Sequence, residues 1–147
     1  GTEALHVMRA EKGFIMIGDE TDGTVTPLDL GLGWAVSKKK DDFLGKRGMR
    51  RSDLVREDRP RLVGLETEDP EAVLPDGAHA VERGRAIGHV TSTYRSPTLG
   101  RSIAMALIER GPERMGEVLR FPTKRGTVKA KVVAPGWYDP EGERQDV

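Results

Sequence analysis

Apolar residues in the first sixty positions change their spacing several times, which predicts short elements rather than one long one. Leu5 and Met8 recur at helical spacing and Gly13 follows, so we predict a short helix capped by Thr2 and ended by that glycine. Residues 27–36 alternate apolar with small or polar side chains, and a period of two predicts a half-buried strand. Residues 43–53 are predicted to form a basic helix.

Four charged residues at 56–59 are followed by Pro60, and the pattern of apolar and polar residues changes after this point. There the alternation predicts strands at 61–66 and 103–107, and Gly-containing turns at 83–85 and 123–126 predict two hairpins. Several short strands separated by Gly and Pro turns are typical of a small antiparallel barrel or sandwich. We therefore expect a first segment at 1–55, a linker at 56–61, a β domain at 62–138 and a charged tail at 139–147.

Composition limits the classes of protein to which the chain can belong. Twenty-four basic and twenty-four acidic residues cancel, which argues against nucleic-acid binding driven by overall charge. No apolar run approaches the roughly 20 residues of a membrane helix, so no membrane partner is expected. The lack of cysteine removes disulfides and thiolate metal sites but does not alone fix a compartment; we expect a cytoplasmic protein. The histidines have no metal-ligand spacing, so no metal site is expected.

Arg9, Glu11 and Gly13 put a carboxylate in the last turn of the predicted opening helix, just before the glycine that ends it. Further pieces follow in order: Gly-Asp at 18–19, Thr-Pro-Leu-Asp-Leu-Gly-Leu-Gly-Trp-Ala-Val at 26–36, and Phe-Leu-Gly-Lys at 43–46. This order of pieces resembles the folate-binding part of the glycine cleavage T-protein (aminomethyltransferase) family.

Residues 88–106 carry a second pattern of the same family. A Gly-x-Val-Thr-Ser strand leads to a Ser-Pro-x-Leu loop and then to an apolar return strand, as in the family's C-terminal barrel. Together the two resemblances cover residues 1 to about 138. They imply an α+β fold, with the end of the T-protein folate-binding domain followed by a small antiparallel β-barrel.

Stretches at 1–7, 21–27, 56–59 and 139–142 are similar to one group within that family, the alpha subunits of heterotetrameric sarcosine oxidases. This resemblance implies oxidation of sarcosine with tetrahydrofolate accepting the one-carbon unit, giving glycine, methylenetetrahydrofolate and hydrogen peroxide. It also implies FAD, FMN and NAD in the full complex, bound outside this segment. The implied partners are the remainder of the alpha subunit and the other subunits.

The resemblance also implies site residues. The family uses the glutamate at the position of Glu11 to accept two hydrogen bonds from the pterin ring, and a basic residue near Lys40 to face the folate's glutamate tail. Arg9 is included with Glu11 and Lys40 among the expected folate-binding residues, but its expected part is structural: it braces Glu11 or pairs with an acidic group across the sheet. The family's catalytic aspartate falls in a region that would precede Gly1, so we expect a piece of a longer polypeptide, with no catalytic residue of its own and no turnover alone.

Three alternatives stay open at this point. The chain could be a segment of a stand-alone aminomethyltransferase of the same family. It could be an interaction barrel that packs against other domains or subunits and binds no ligand. A nucleic-acid-binding barrel using the lysines at 38–40 is a weaker alternative, because few aromatic residues are present for base stacking.

Overall fold

The computed structural model describes residues 1–145. One helix, α1 at Thr2–Glu11, is followed by a long irregular stretch and then by six strands. The strands are β1 at Pro60–Thr67, β2 at His79–Glu82, β3 at Arg85–Ser96, β4 at Arg101–Glu109, β5 at Val118–Thr123 and β6 at Gly126–Val133. Short 3-10 helices lie at Gly33–Ala35, Gly48–Arg50, Gly111–Arg114 and Glu143–Gln145.

The six strands form one antiparallel sheet in the order β2-β3-β4-β1-β6-β5. The two end strands of this order, β2 and β5, pack against each other, so the sheet curls into a nearly closed barrel. Arg114 bridges the seam, because its guanidinium binds Glu82 on β2 and Glu117 beside β5, each at 3.0 Å. The predicted α+β class and the antiparallel barrel are confirmed.

Strand β4 lies between two hydrophobic cores, which explains why it is buried on both faces. Ala104, Ala106 and Ile108 point into the barrel interior. Ile103, Met105 and Leu107 point outward, where they pack under the N-terminal segment together with Ala10 and Leu30. The first sixty residues therefore rest on the outer surface of the barrel.

The opening helix has the predicted C-terminal end but a different start. Gly13 has φ +74°, a left-handed conformation that glycine adopts without steric cost, and α1 stops two residues before it. Gly1 rather than Thr2 is the N-cap, and no side chain caps the helix, so the prediction for Thr2 was wrong. With ten residues, α1 is the longest helix among the described residues, and none of these helices could cross a membrane.

Residues 27–36 form consecutive turns and a 3-10 helix instead of the predicted strand. The N–H groups of Asp29, Gly31 and Ala35 each donate to a carbonyl oxygen three residues earlier. These backbone hydrogen bonds are therefore made within the segment and not to a neighbouring strand. Gly31 has φ +72°, which an extended strand does not allow. Of the alternating apolar residues only Leu30 is buried, while Leu28 and Trp34 are exposed, so the alternation does not mark one buried face.

The predicted basic helix at 43–53 is also wrong. The segment forms turns and the 3-10 helix at Gly48–Arg50. Gly45 has φ +94°, which interrupts an α-helix, and Leu44 is fully exposed, so no apolar face holds a helix against the barrel.

Candidate functional site

Arg9 lies in the last turn of α1, with its side chain only 6% exposed. Its Nη1 donates to Glu20 Oε2 at 2.7 Å and to the carbonyl oxygen of Phe14 at 3.2 Å. Its Nη2 donates to Asp19 Oδ2 at 2.8 Å and to Ser92 Oγ at 2.6 Å. One guanidinium therefore joins the helix, the following loop and strand β3.

Glu20 is completely buried and receives hydrogen bonds on both oxygens. Besides Arg9, the backbone N–H of Met16 donates to Oε2 at 2.8 Å. On the other side, Thr91 Oγ1 donates to Oε1 at 2.9 Å and the Ser92 hydroxyl also donates to Oε1. These donors replace the water that the carboxylate loses on burial.

A bulge in β3 explains how two consecutive residues reach one carboxylate. The β3–β4 register shifts between Val90 and Ser92, so Thr91 is an extra residue in the strand. Side chains normally alternate across a strand, but a bulge breaks that alternation. As a result Thr91 and Ser92 are both buried and both donate to Glu20.

Tyr94 completes this group. Its hydroxyl oxygen accepts a 3.3 Å hydrogen bond from Arg9 Nη2, and the Arg9 guanidinium carbon lies 5.7 Å from the centre of its ring. We call the whole set the Arg9 cluster: Arg9, Asp19, Glu20, Thr91, Ser92 and Tyr94. A cavity of about 240 Å³ opens beside it, lined by four of these residues together with His6, Asp76 and Thr93.

Glu11 ends α1 and points away from the Arg9 cluster. It is only 4% exposed, and its Oε1 accepts a 2.5 Å hydrogen bond from Ser96 Oγ. Its backbone carbonyl oxygen accepts the N–H groups of Trp137 and Tyr138, at 2.7 and 2.9 Å. The barrel thus holds Glu11 by its backbone and by one carboxylate oxygen, while no hydrogen bond among the described residues reaches Oε2.

Arg9 and Glu11 are close in sequence on α1 but do not bind each other, since the ion pairs of Arg9 are with Asp19 and Glu20. Lys40 lies apart, in an exposed loop. Its carbonyl oxygen accepts a 3.2 Å hydrogen bond from Lys46 Nζ, and its ammonium group makes no ion pair within residues 1–145. The structure therefore does not bring the three predicted residues together by direct contact.

Two further contacts organise the neighbouring region. Arg59 Nη2 donates to Asp29 Oδ2 at 2.6 Å, and the Asp29 carbonyl oxygen accepts the N–H of Leu62 at 2.7 Å, which ties the N-terminal segment to β1. Burial would raise the pKa of the Asp29 carboxyl, but hydrogen bonds from Arg59 and Thr26 together outweigh it and lower that pKa.

The histidines include one pair. His79 on β2 lies opposite His89 on β3, with ring centres 6.3 Å apart. No group of three or more metal-binding side chains occurs among the described residues.

Sequence reasoning missed Glu20 and gave no role to Thr91, Ser92 and Ser96. Glu20 falls in a polar loop, where a charged side chain is normally solvated, and no spacing marks it as buried. The Thr-Ser pair was visible inside the family pattern, but a two-residue alternation places only one of the two on the inner face. The bulge that turns both inward has no signal in one sequence.

Comparison with known proteins places this arrangement in a family. A model of the glycine cleavage T-protein C-terminal barrel domain matches residues 61–139, and a model of the GCVT N-terminal domain matches residues 1–40. The chain belongs to the glycine cleavage T-protein family. The expected family resemblance is confirmed.

Within this family, the chain is similar to sarcosine oxidase alpha subunits. It is 48% identical to that of Corynebacterium sp. (strain P-1) and 40% identical to that of Rhizobium meliloti (strain 1021), over 99% and 100% of the chain. The chain spans only 16% of the length of these relatives. It is also 36% identical to an aminomethyltransferase of Thermosipho melanesiensis, over 94% of the chain and 37% of that protein.

A solved structure has the same fold. The chain superposes on the glycine cleavage system aminomethyltransferase T from Bartonella henselae with a TM-score of 0.84, at 24% identity, over 95% of this chain and 39% of that one. This likeness confirms the fold.

Proposed function

We propose that this chain is the folate-side part of a sarcosine oxidase alpha subunit and helps to bind tetrahydrofolate. The observation that carries the proposal is Glu11. Glu11 as a whole is only 4% exposed, and only its Oε1 is engaged by the described residues. Its Oε2 is not among the buried polar atoms that lack a hydrogen-bond partner, so this oxygen stays accessible and can accept hydrogen bonds from a ligand.

The chemistry of the pterin suits this carboxylate. A pterin presents a ring N–H beside an exocyclic amino group, and an ionised carboxylate accepts both in a two-pronged contact. The Ser96 hydroxyl uses only one lone pair of Oε1, so both oxygens of Glu11 keep acceptor capacity. The similarity of the chain to folate-related relatives supports this use of the residue.

Arg9 and Lys40 have different parts in the proposed site. Arg9 is committed to Glu20 and Asp19, so it shapes the folate site mainly by fixing α1 against β3. The exposed Lys40 ammonium suits the anionic glutamate tail of a folate as a point charge.

In the full complex, sarcosine would lose two electrons to molecular oxygen, giving hydrogen peroxide, and its methyl carbon would pass to tetrahydrofolate. Glycine and methylenetetrahydrofolate would be the other products. FAD, FMN and NAD would be held by other parts of a cytoplasmic, multi-subunit enzyme. The residues of this chain would bind and orient the folate and would not turn over alone.

The test is a calorimetric titration of the longer protein with tetrahydrofolate. Glu11→Gln replaces an acceptor oxygen by a donor NH₂ group facing the pterin donors, and we expect the affinity to fall by about tenfold or more. Glu3→Gln makes the same change at an exposed position of the same helix and should leave the affinity unchanged. Equal affinity of the Glu11→Gln and wild-type proteins would refute the contact.

Two other candidates have support. Similarity to aminomethyltransferases supports a stand-alone transferase, which would differ from the oxidase in that the purified longer protein binds no flavin. Large exposed apolar side chains in the N-terminal segment support an interaction module that packs against another domain or subunit; they include Phe14, Ile17, Trp34 and Leu44.

A further inference from the structure

We propose that Ser96 is a positioning residue for the folate contact, aiming the Glu11 carboxylate at the pterin edge. This inference rests on the proposed folate-binding role of Glu11. It assigns the barrel an indirect part in ligand recognition, because Ser96 ends strand β3 and acts through Glu11, the last residue of α1.

The Ser96 hydroxyl has a defined hydrogen-bond direction. Ser96 is completely buried, and its Oγ accepts the backbone N–H of Leu99 at 3.0 Å. The hydroxyl hydrogen therefore points to its other neighbour, Glu11 Oε1, at 2.5 Å. A hydroxyl–carboxylate contact of this length is a charge-assisted hydrogen bond, which is both stronger and more directional than a neutral one.

The rest of Glu11 is fixed as well. The N–H groups of Trp137 and Tyr138 hold its backbone carbonyl oxygen. With its backbone carbonyl and Oε1 both held, the carboxylate is restricted in its rotation, which limits the directions that Oε2 can take. A two-pronged pterin contact depends on the plane of the carboxylate. Holding Oε1 in place before the ligand binds therefore increases the affinity of the carboxylate for the pterin.

The chain contains a matched control for the loss of a buried hydroxyl. Ser102 on β4 is also almost completely buried, but its Oγ has no hydrogen-bond partner among the described residues. Ser102→Ala removes a hydroxyl of the same kind from the same barrel without touching Glu11. Ser96→Thr keeps the hydroxyl and should retain the wild-type behaviour.

The experiment measures affinity of the longer protein for tetrahydrofolate and for its 2-desamino analogue, which lacks the exocyclic amino group. The dissociation constant of the analogue divided by that of tetrahydrofolate reports how well the carboxylate is aligned with the pterin. A general loss of folding would weaken both ligands equally and leave the ratio unchanged. In Ser96→Ala we expect the ratio to fall about fivefold towards one, with Ser102→Ala at the wild-type ratio.

Each outcome separates the two claims. If Glu11→Gln loses the discrimination and Ser96→Ala keeps it, the role of Ser96 is refuted while the folate contact stands. If Glu11→Gln keeps the wild-type ratio, the folate contact fails and the role of Ser96 fails with it. Equal changes in both dissociation constants in Ser96→Ala would reduce Ser96 to a structural residue and overturn the inference.

Discussion

Arg9 and Glu20 form an ion pair almost without access to water: Nη1 and Oε2 lie 2.7 Å apart, and the side chains are 6% and 0% exposed. Such a pair costs desolvation free energy on both sides and is stabilising only when other hydrogen bonds complete it. Here Thr91, Ser92 and the N–H of Met16 supply them. The pair therefore fixes the position of α1 on the barrel, and with it the position of Glu11.

Removing one member of this ion pair should strongly destabilise the folded state. We predict that Arg9→Met lowers the free energy of unfolding by about 3–5 kcal/mol, because Glu20 is left as a buried carboxylate with only neutral donors. Urea denaturation followed by circular dichroism measures the change. Arg56→Met is the control: it breaks the exposed Arg56–Asp58 pair and should leave the denaturation midpoint in place. Equal losses in the two variants would contradict the buried role of Arg9.

The sequence predicted the strands of the barrel but not the Arg9 cluster. The second half was predictable because its strands alternate and its turns carry Gly, and both hairpins and the family barrel are confirmed. Glu20 was not, because its burial depends on a bulge 71 residues further along the chain, at Thr91. Long-range burial of a charge leaves no local pattern in a single sequence.

The two wrong elements have a common physical cause. Residues 27–36 alternate as in a strand and residues 43–53 were predicted as a basic helix, but glycines at 31 and 45 adopt positive φ and interrupt these elements. In the first case the carboxylate of Asp29 also accepts the N–H and hydroxyl of Thr26, so a local turn competes with extended pairing. Spacing alone does not reveal that competition.

The Asp29–Arg59 pair predicts a dependence of stability on acid. The folded pKa of Asp29 lies below its ordinary value of 3.8, so its ionised form stabilises the fold above that pH. That contribution is lost as the pH falls through the folded pKa. We predict that the wild type loses stability below about pH 4 more steeply than Asp29→Asn, measured as the urea midpoint at a series of pH values.

Asp41→Asn is the control for this titration, because Asp41 lies in an exposed loop and forms no ion pair among residues 1–145. Its acid curve should follow the wild type. Parallel curves for the wild type and Asp29→Asn would show that the pair with Arg59 does not contribute to the acid dependence.

Gly64 permits a close approach between β1 and the segment that holds Glu11. A Cβ atom at this position would lie 2.7 Å from Cζ2 of Trp137 and 3.0 Å from the carbonyl oxygen of Ala134. We predict that Gly64→Ala lowers the free energy of unfolding by about 1–3 kcal/mol through overpacking. Because the N–H of Trp137 binds the carbonyl oxygen of Glu11, the same change should also weaken folate binding.

Gly23→Ala is the matched substitution, since a Cβ atom there would meet no atom within 4 Å. It should change stability by less than about 0.5 kcal/mol. Thermal unfolding of the two variants side by side measures the difference. A neutral effect of Gly64→Ala would mean that Trp137 moves aside freely and does not hold the site.

Ile17 and Trp34 expose 89% and 82% of their surfaces, which is unusual for side chains so large and apolar. Large apolar side chains this exposed are candidates for contact with another part of the longer protein. We therefore predict that a double variant, Ile17→Ser with Trp34→Ser, folds normally but binds the preceding part of the longer protein at least about tenfold more weakly. Surface plasmon resonance between the two separately produced parts measures this.

Val73→Ser and Val118→Ser provide the control, because both residues are about half exposed but lie outside the N-terminal segment. If hydrophobic exposure in general drove association, this control pair would weaken binding as much as the test pair. A selective loss at Ile17 and Trp34 would instead assign the contact to the N-terminal segment, the same segment that carries Arg9 and Glu11. The interaction module and the proposed folate contact would then use the same N-terminal segment of the chain.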